Sequence, residues 1–206
     1  IGIIVTATFG GFYLLNERYL MVIISFALIG ALLGFLRFNL STRLKIFMGD
    51  SGSMFIGFIL AYQAISFLEF NATTVTPYTL NVAPIMAMAI LSFPILDTLR
   101  VFAVRIAQKR SPFSADRNHI HHRLLALGLS HKKATLTLGI INILVIALAF
   151  LIKDLYINLQ LYLLVLVVPL LYFSPWLLFR PRSKEAKMQR KRTLAMLRAR
   201  INSFLG

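Results

Sequence analysis

Apolar residues run through this 206-residue chain in long continuous blocks, not in the alternating pattern of a half-buried strand. Polar breaks separate six blocks, near 1–15, 19–36, 52–69, 82–104, 135–152 and 157–179. Blocks of about 20 apolar residues indicate membrane-spanning helices, because only a helix satisfies its own backbone hydrogen bonds in lipid. The pattern predicts an all-α, polytopic integral membrane protein of about six transmembrane helices, with a transmembrane domain at 1–179 and a tail at 180–206.

The first block is shorter than a membrane span. A helix over residues 1–15 is about 22 Å long, whereas the hydrocarbon core is roughly 30 Å thick. The chain begins with Ile1 instead of Met, and no charged segment or small-residue cleavage site marks a signal peptide. We therefore expect the chain to begin inside a helix of a longer protein.

Composition agrees with a membrane protein and excludes some kinds of site. Hydrophobic residues make up 58% of the chain and mean hydropathy is +0.78, whereas soluble domains are about 45–50% apolar. The chain has no cysteine, which excludes disulfides and thiolate-bound metals. Its net charge of +15 fits either nucleic acid or anionic lipid, so the positions of the charges must separate these partners.

The basic residues fall on one side of the membrane if the six helices alternate in direction. Two loops, at 37–45 and 107–134, together with the adjoining helix end and the tail hold 20 of the 22 lysines and arginines. Only Arg18 and Lys153 lie on the other side. The positive-inside rule then places both basic loops and the tail in the cytoplasm.

The basic tail, residues 180–206, has apolar residues at roughly helical spacing between its arginines. This pattern favours an interfacial helix on anionic membrane lipid. A nucleic-acid-binding arm is disfavoured, because no aromatic interleaving or binding motif accompanies the charges. In the second block, the "GALLG" of Gly30 to Gly34 predicts a close contact between helices.

The stretch "FMGDSGSMFIG" places Asp50 and Ser51 at the start of the third block. Either residue can act as a simple helix N-cap. Alternatively, the glycines let the backbone approach a ligand, Asp50 coordinates a hard cation and the helix N-terminus attracts a phosphate. The motif alone does not decide between these interpretations.

A second polar feature, "SPFSADRNHIHHRLLALGLSH", contains all four histidines of the chain, three of them at His119, His121 and His122. A zinc site lacks its usual carboxylate or thiolate companions at ligand spacing. An anion-binding loop fits better, because Arg117 and Arg123 can pair with phosphate oxygens. A merely solvated basic loop explains the arginines but not the histidines.

A third feature is Asp97 with Arg100, three residues apart near the cytoplasmic end of the fourth block. Ionisable residues in membrane helices usually face a cleft or each other. A mutual salt bridge and a role in a site are equally compatible with the spacing. Asp97 can also orient an arginine or a histidine.

Together these motifs resemble the polyprenyl-phosphate N-acetylhexosamine-1-phosphate transferases, glycosyltransferase family 4 of the WecA and MraY type. "FMGDSGSMFIG" is similar to the family's magnesium-aspartate motif, and "SPFSADRNHIHHRL" is similar to its cytoplasmic histidine-loop motif. The spacing His-x-His-His and "FPILDTLRV" are more similar to the branch that uses UDP-N-acetylglucosamine than to the branch that uses UDP-N-acetylmuramoyl-pentapeptide. The resemblance covers about residues 1–179.

The resemblance implies an Mg²⁺-dependent enzyme, with Mn²⁺ as an alternative metal. It transfers N-acetylhexosamine 1-phosphate, here GlcNAc 1-phosphate, from a UDP-sugar to undecaprenyl phosphate and releases UMP, in cell-envelope polysaccharide synthesis. The implied location is the bacterial inner (plasma) membrane, and a homodimer is left open. Asp50 corresponds to the metal ligand and the three clustered histidines to substrate-handling residues. Arg117, Arg123, Ser51, Asp97 and Arg100 are the further candidates for substrate binding.

The chain departs from the family in its acidic residues. The family carries paired aspartates on an earlier cytoplasmic loop and an Asn/Asp-rich motif before the magnesium aspartate, whereas this chain has seven acidic residues and no adjacent pair. We therefore expect a C-terminal portion of a longer enzyme, inactive by itself.

Two other classes of protein remain as alternatives. A transporter would use Asp97, Arg100 and the histidines as a polar pathway, but it needs ionisable residues near the bilayer midplane. The candidate residues lie at one interface, which favours surface chemistry. A membrane anchor whose basic tail recruits a partner leaves both motifs unexplained.

Overall fold

The computed structural model describes residues 1–41, 44, 46–109, 111, 120, 124, 125 and 127–178. Within that part the chain is helical, with no strand. The helices are α1 Gly2–Leu15, α2 Tyr19–Asn39, α3 Gly49–Thr73, α4 Ala83–Ile90, α5 Ser92–Ala107, α6 His131–Leu151 and α7 Ile157–Leu178. The predicted all-α, polytopic membrane architecture is confirmed.

The six predicted spans differ from the structure at two places. Helices α2, α3, α6 and most of α7 are each long and apolar enough to cross a membrane. The fourth block is two helices, α4 and α5, which bend by 68° and form a fifth span if taken together. Helix α1 has only 14 residues, so four or five described helices meet the length of a span instead of six.

The bend between α4 and α5 has a covalent cause. In a continuous helix, residue 94 would donate its N–H to the carbonyl of Ile90, but Pro94 has no N–H and its ring collides with that carbonyl. Pro84, by contrast, is the second residue of α4, where its missing N–H needs no partner. One proline therefore starts a helix and the other breaks the span.

Helices α1, α2 and α3 pack together around a close approach at Gly10. A Cβ atom added to Gly10 would lie 2.8 Å from the Cβ of Ser25, so these small residues let α1 and α2 approach each other. The predicted contact at "GALLG" is not found, because within the described part Gly30 and Gly34 face open space. The close contact is thus made by α1 and by a different face of α2.

Two buried polar clusters connect the helices within the apolar interior. In the first, Tyr13 donates a hydrogen bond to the backbone carbonyl of Gln63, whose side-chain amide donates to Ser25 Oγ at 2.7 Å. In the second, the Asn142 amide donates to Tyr172 Oη at 3.2 Å, beside Ser92 at the α4–α5 break. Hydrogen bonds between membrane helices add about 0.6 kcal/mol each on average, so the clusters fix packing geometry more than stability.

Candidate functional site

Helix α3 begins in an unusual backbone conformation directly before Asp50. Gly49 has φ +67°, a value that only glycine adopts without steric cost. The N-cap is Met48, which makes no side-chain capping hydrogen bond, and Asp50 lies in the first turn. The Ser53 hydroxyl donates to the Asp50 backbone carbonyl at 2.8 Å, which supports the turn without engaging the carboxylate.

This geometry excludes the helix-cap interpretation of the motif. Neither Asp50 nor Ser51 occupies the N-cap position, and both side chains are exposed. No hydrogen bond or ion pair from another described residue engages the Asp50 carboxylate. The carboxylate is therefore accessible to a ligand at the N-terminus of α3, where the helix dipole favours anions such as phosphate.

Asp97 is in a different environment, buried on α5. Its side chain is 9% exposed, and Oδ1 accepts a hydrogen bond from the backbone N–H of Ile120 at 2.8 Å. Ile120 stands between His119 and His121 in the sequence. The structure thus joins α5, through Asp97, to the backbone of the histidine segment, residues 111–130.

The histidine segment is also anchored by apolar side chains. Ile120 is 1% exposed and Leu124 is completely buried, and both belong to the main hydrophobic core. Leu125, Leu127 and Leu129 pack against the same core. The segment between α5 and α6 therefore returns to the protein interior at defined points.

Most of the predicted substrate-binding residues lie outside the described part of the chain. These are Arg117, His119, His121, His122 and Arg123. Their proposed contacts with a phosphate stay predictions. Arg100 is described and is half-buried on α5, one turn beyond Asp97.

The donor set for a metal ion can be tested on the described residues. No three histidine, aspartate or glutamate side chains come together among them. A protein cage of several ligands is therefore not present in that part. A single accessible carboxylate at a helix N-terminus does fit Mg²⁺, which is often held by one or two carboxylates together with water and substrate phosphates. Asp50 is compatible with that mode of binding.

An apolar cavity of about 260 Å³ lies between the bent α4–α5 pair and α7. Its walls include Ser92, Ile95, Leu99, Val165 and Val168. A larger cavity of about 430 Å³ lies far from Asp50, beside Phe67, the α3–α4 loop and Lys153. Of these two cavities, the smaller one is lined by Leu99, two residues after Asp97 in the sequence.

Comparison with known proteins gives consistent matches. Residues 1–68 match the sequence model of glycosyl transferase family 4. The chain is 43% identical over 122 residues to a decaprenyl-phosphate N-acetylglucosaminephosphotransferase of Mycolicibacterium smegmatis, which covers 57% of this chain and 30% of the relative. It is 34% identical over 151 residues to a probable undecaprenyl-phosphate N-acetylglucosaminyl 1-phosphate transferase of Bacillus subtilis, which covers 73% of this chain and 40% of the relative.

A third relative gives the same relationship in another bacterium. The undecaprenyl-phosphate alpha-N-acetylglucosaminyl 1-phosphate transferase of Escherichia coli is 34% identical over 112 residues, 53% of this chain and 29% of the relative. The aligned region is thus only 29–40% of the length of these three relatives. No solved structure matches the chain with statistical significance.

Proposed function

We propose, on the premise that residues 1–68 of this chain belong to glycosyl transferase family 4, that the protein transfers N-acetylglucosamine 1-phosphate from UDP-N-acetylglucosamine to undecaprenyl phosphate. In this reaction an oxygen of the lipid phosphate attacks the phosphorus that carries the sugar. The bond from that phosphorus to the bridging oxygen breaks, and UMP leaves with the electron pair. The names of the three bacterial relatives support this choice of sugar and lipid class.

The observation that carries the proposal is the accessible Asp50 carboxylate beside Gly49 at the start of α3. Phosphoryl transfer depends on positioning and on neutralising negative charge more than on covalent help from the protein. Asp50 would hold Mg²⁺, which when bound supplies charge neutralisation to the pyrophosphate oxygens. The N-terminus of α3 adds a fixed dipole that favours the same phosphate group.

The histidine segment would bind the UDP-sugar. His119, His121 and His122 are hydrogen-bonding groups, and Arg117 and Arg123 are bidentate partners for phosphate oxygens. The buried Ile120 supports this role, because it holds the middle of the segment against the helix bundle. Nucleotide and metal would then meet between α3 and this segment.

The lipid substrate needs an apolar surface beside the polar site. The 260 Å³ cavity between α5 and α7 has an apolar lining and begins at the turn of α5 that bears Asp97. Its apolar lining suits part of a prenyl chain, whose phosphate would then reach the membrane interface. We assign the site to the cytoplasmic face of the inner membrane, because 20 of the 22 basic residues lie on that side when the spans alternate.

A transfer assay tests the proposal. Membranes containing the full-length enzyme, because the 206-residue chain is expected to be inactive by itself, are incubated with UDP-N-acetylglucosamine labelled in the sugar, undecaprenyl phosphate and Mg²⁺. We expect label in the lipid fraction, one UMP per labelled lipid, loss of transfer on chelation and recovery when Mg²⁺ is restored. Transfer that persists with a chelator, or release of UDP instead of UMP, would contradict the proposed chemistry.

A further inference from the structure

We propose that Asp97 is a positioning residue that sets the backbone of the histidine segment through the N–H of Ile120. The contact joins two parts of the chain separated by 23 residues, at 2.8 Å between Oδ1 and the backbone nitrogen. The consequence for transfer rests on the proposed function, whereas the hydrogen bond and its effect on the segment do not.

The surroundings make this contact strong. Asp97 is 9% exposed and Ile120 is 1% exposed, so water competes little for either partner. A hydrogen bond to a carboxylate is about twice as strong as one between neutral groups, and low polarity around it strengthens it further. A buried backbone N–H without an acceptor would in turn be costly, so the segment gains stability only where this bond can form.

The bond acts together with apolar anchors. Ile120 and Leu124, four residues apart, both reach the hydrophobic core and restrain the segment at two points. Burial of these side chains holds the segment against the bundle, but apolar contact has no direction. The directional bond to Asp97 fixes the orientation of the Ile120 N–H.

The histidines on each side of Ile120 are the residues that we expect this contact to position. The Ile120 N–H belongs to the peptide unit that joins His119 to Ile120, and His121 is the next residue, with consecutive Cα atoms about 3.8 Å apart. A displacement of about 1 Å in groups that position a substrate can lower a rate about 100-fold. Asp97 therefore acts on the reaction through the histidines, not by touching the substrate.

Variants of Asp97 separate positioning from direct action. Asp97→Asn keeps an oxygen acceptor and removes the charge, whereas Asp97→Ala removes both. Asp97→Leu retains the volume with an apolar side chain, and it replaces the alanine variant if that protein is not recovered from membranes. Asp154→Asn and Asp154→Ala, in the exposed loop between α6 and α7, are the matched controls.

The primary measurement is hydrogen–deuterium exchange of the purified protein in detergent. We expect Asp97→Ala or Asp97→Leu to speed exchange in peptides covering residues 111–130 by about tenfold or more, with α6 and α7 unchanged. Asp97→Asn should restore most of the protection. Exchange that is the same in all variants, or that rises equally throughout the bundle, would overturn the positioning role.

The second measurement is transfer kinetics with UDP-N-acetylglucosamine. We expect kcat to fall about 100-fold in Asp97→Ala and less than tenfold in Asp97→Asn. Equal loss in both variants with normal exchange would show that the charge of Asp97 acts on substrate or metal, contrary to the proposal. If the unchanged full-length enzyme shows no transfer, the proposed function fails while the exchange result still decides the role of Asp97.

Discussion

At the scale of the residue, the backbone conformation of Gly49 determines where the Asp50 carboxylate lies. The positive φ of Gly49 turns the backbone into α3, and the next residue presents its carboxylate at the helix start. An L-residue at this φ costs about 1–2 kcal/mol. The protein is expected to relieve such strain by rotating the entry to α3, which would displace the carboxylate of Asp50.

Gly49→Ala should therefore lower transfer by about tenfold or more, although the Cβ itself meets open space. Gly57→Ala is the matched control, because Gly57 lies within α3, also faces open space and does not have a positive φ. Alanine there favours the helix by about 1 kcal/mol. The check is kcat in membranes with matched protein content; equal activity of the two variants would show that the conformation of Gly49 does not serve Asp50.

At the scale of the element, the break between α4 and α5 determines where Asp97 lies. Without the bend at Leu91, α5 would continue the axis of α4, and Asp97 would leave the position from which it reaches Ile120. Ser92, at the break, contacts Tyr172 of α7 within hydrogen-bonding distance. The bend between α4 and α5 thus has two supports: the missing N–H of Pro94 and the contact of Ser92 with Tyr172.

Pro94→Ala should straighten this span. Alanine has a backbone N–H, which can donate to the carbonyl of Ile90 as in a continuous helix. The chain has no cysteine, so spin labels can be placed on single cysteines at Asn81 and Ile106. Straightening the 68° bend would lengthen the distance between the labels by about 6 Å, given a rise of 1.5 Å per residue.

Pro84→Ala is the control for this distance, since Pro84 lies in the first turn of α4 and interrupts no hydrogen bond. Its label distance should equal that of the unchanged protein. An unchanged distance in Pro94→Ala as well would mean that packing around Ser92, not the proline, maintains the bend.

At the scale of the whole molecule, the positive-inside rule predicts the orientation in the membrane from the basic residues. If the helices alternate in direction, the basic loop before α3 and the loop before α6 share one face. The α6–α7 connection, with Lys153, would then lie on the other face. The proposed chemistry needs the first of these faces to be cytoplasmic, where UDP-sugars are made available.

A labelling experiment tests this orientation. Single cysteines replace Leu44, which is 67% exposed before α3, and Tyr156, which is 87% exposed after α6. A membrane-impermeant maleimide should label only the Tyr156→Cys protein from outside intact cells. Inverted membrane vesicles should give the reverse pattern, and labelling of Leu44→Cys in intact cells would reverse the assigned topology.

The sequence predicted the helices well, because long apolar blocks have few alternatives in a membrane. It did not predict the bend, although Pro94 is visible in the sequence, because the block at 82–104 is apolar on both sides of it. The close helix contact was assigned to Gly30 and Gly34, but small residues mark a contact only where a partner helix lies opposite, as at Gly10.

The candidate site was predictable in part. The sequence indicated Asp50 as a candidate residue. Coordinates were needed to exclude a simple helix cap, because they show the positive φ of Gly49 and place Met48 at the N-cap. The role of Ile120 was missed, although a single apolar residue within the run "RNHIHHR" is itself a sign of burial. Its hydrogen bond to Asp97 joins residues 23 apart, and no local pattern encodes such a pairing.

Whether Asp50 carries the transfer is tested most directly by comparing Asp50→Asn with Asp154→Asn in the labelled-sugar assay. Both are exposed carboxylates, and the change removes one negative charge at nearly constant volume. In the full-length enzyme, we predict that Asp50→Asn inserts normally into membranes and loses nearly all transfer, whereas Asp154→Asn keeps the activity of the unchanged enzyme. Wild-type turnover by Asp50→Asn would contradict the assigned site.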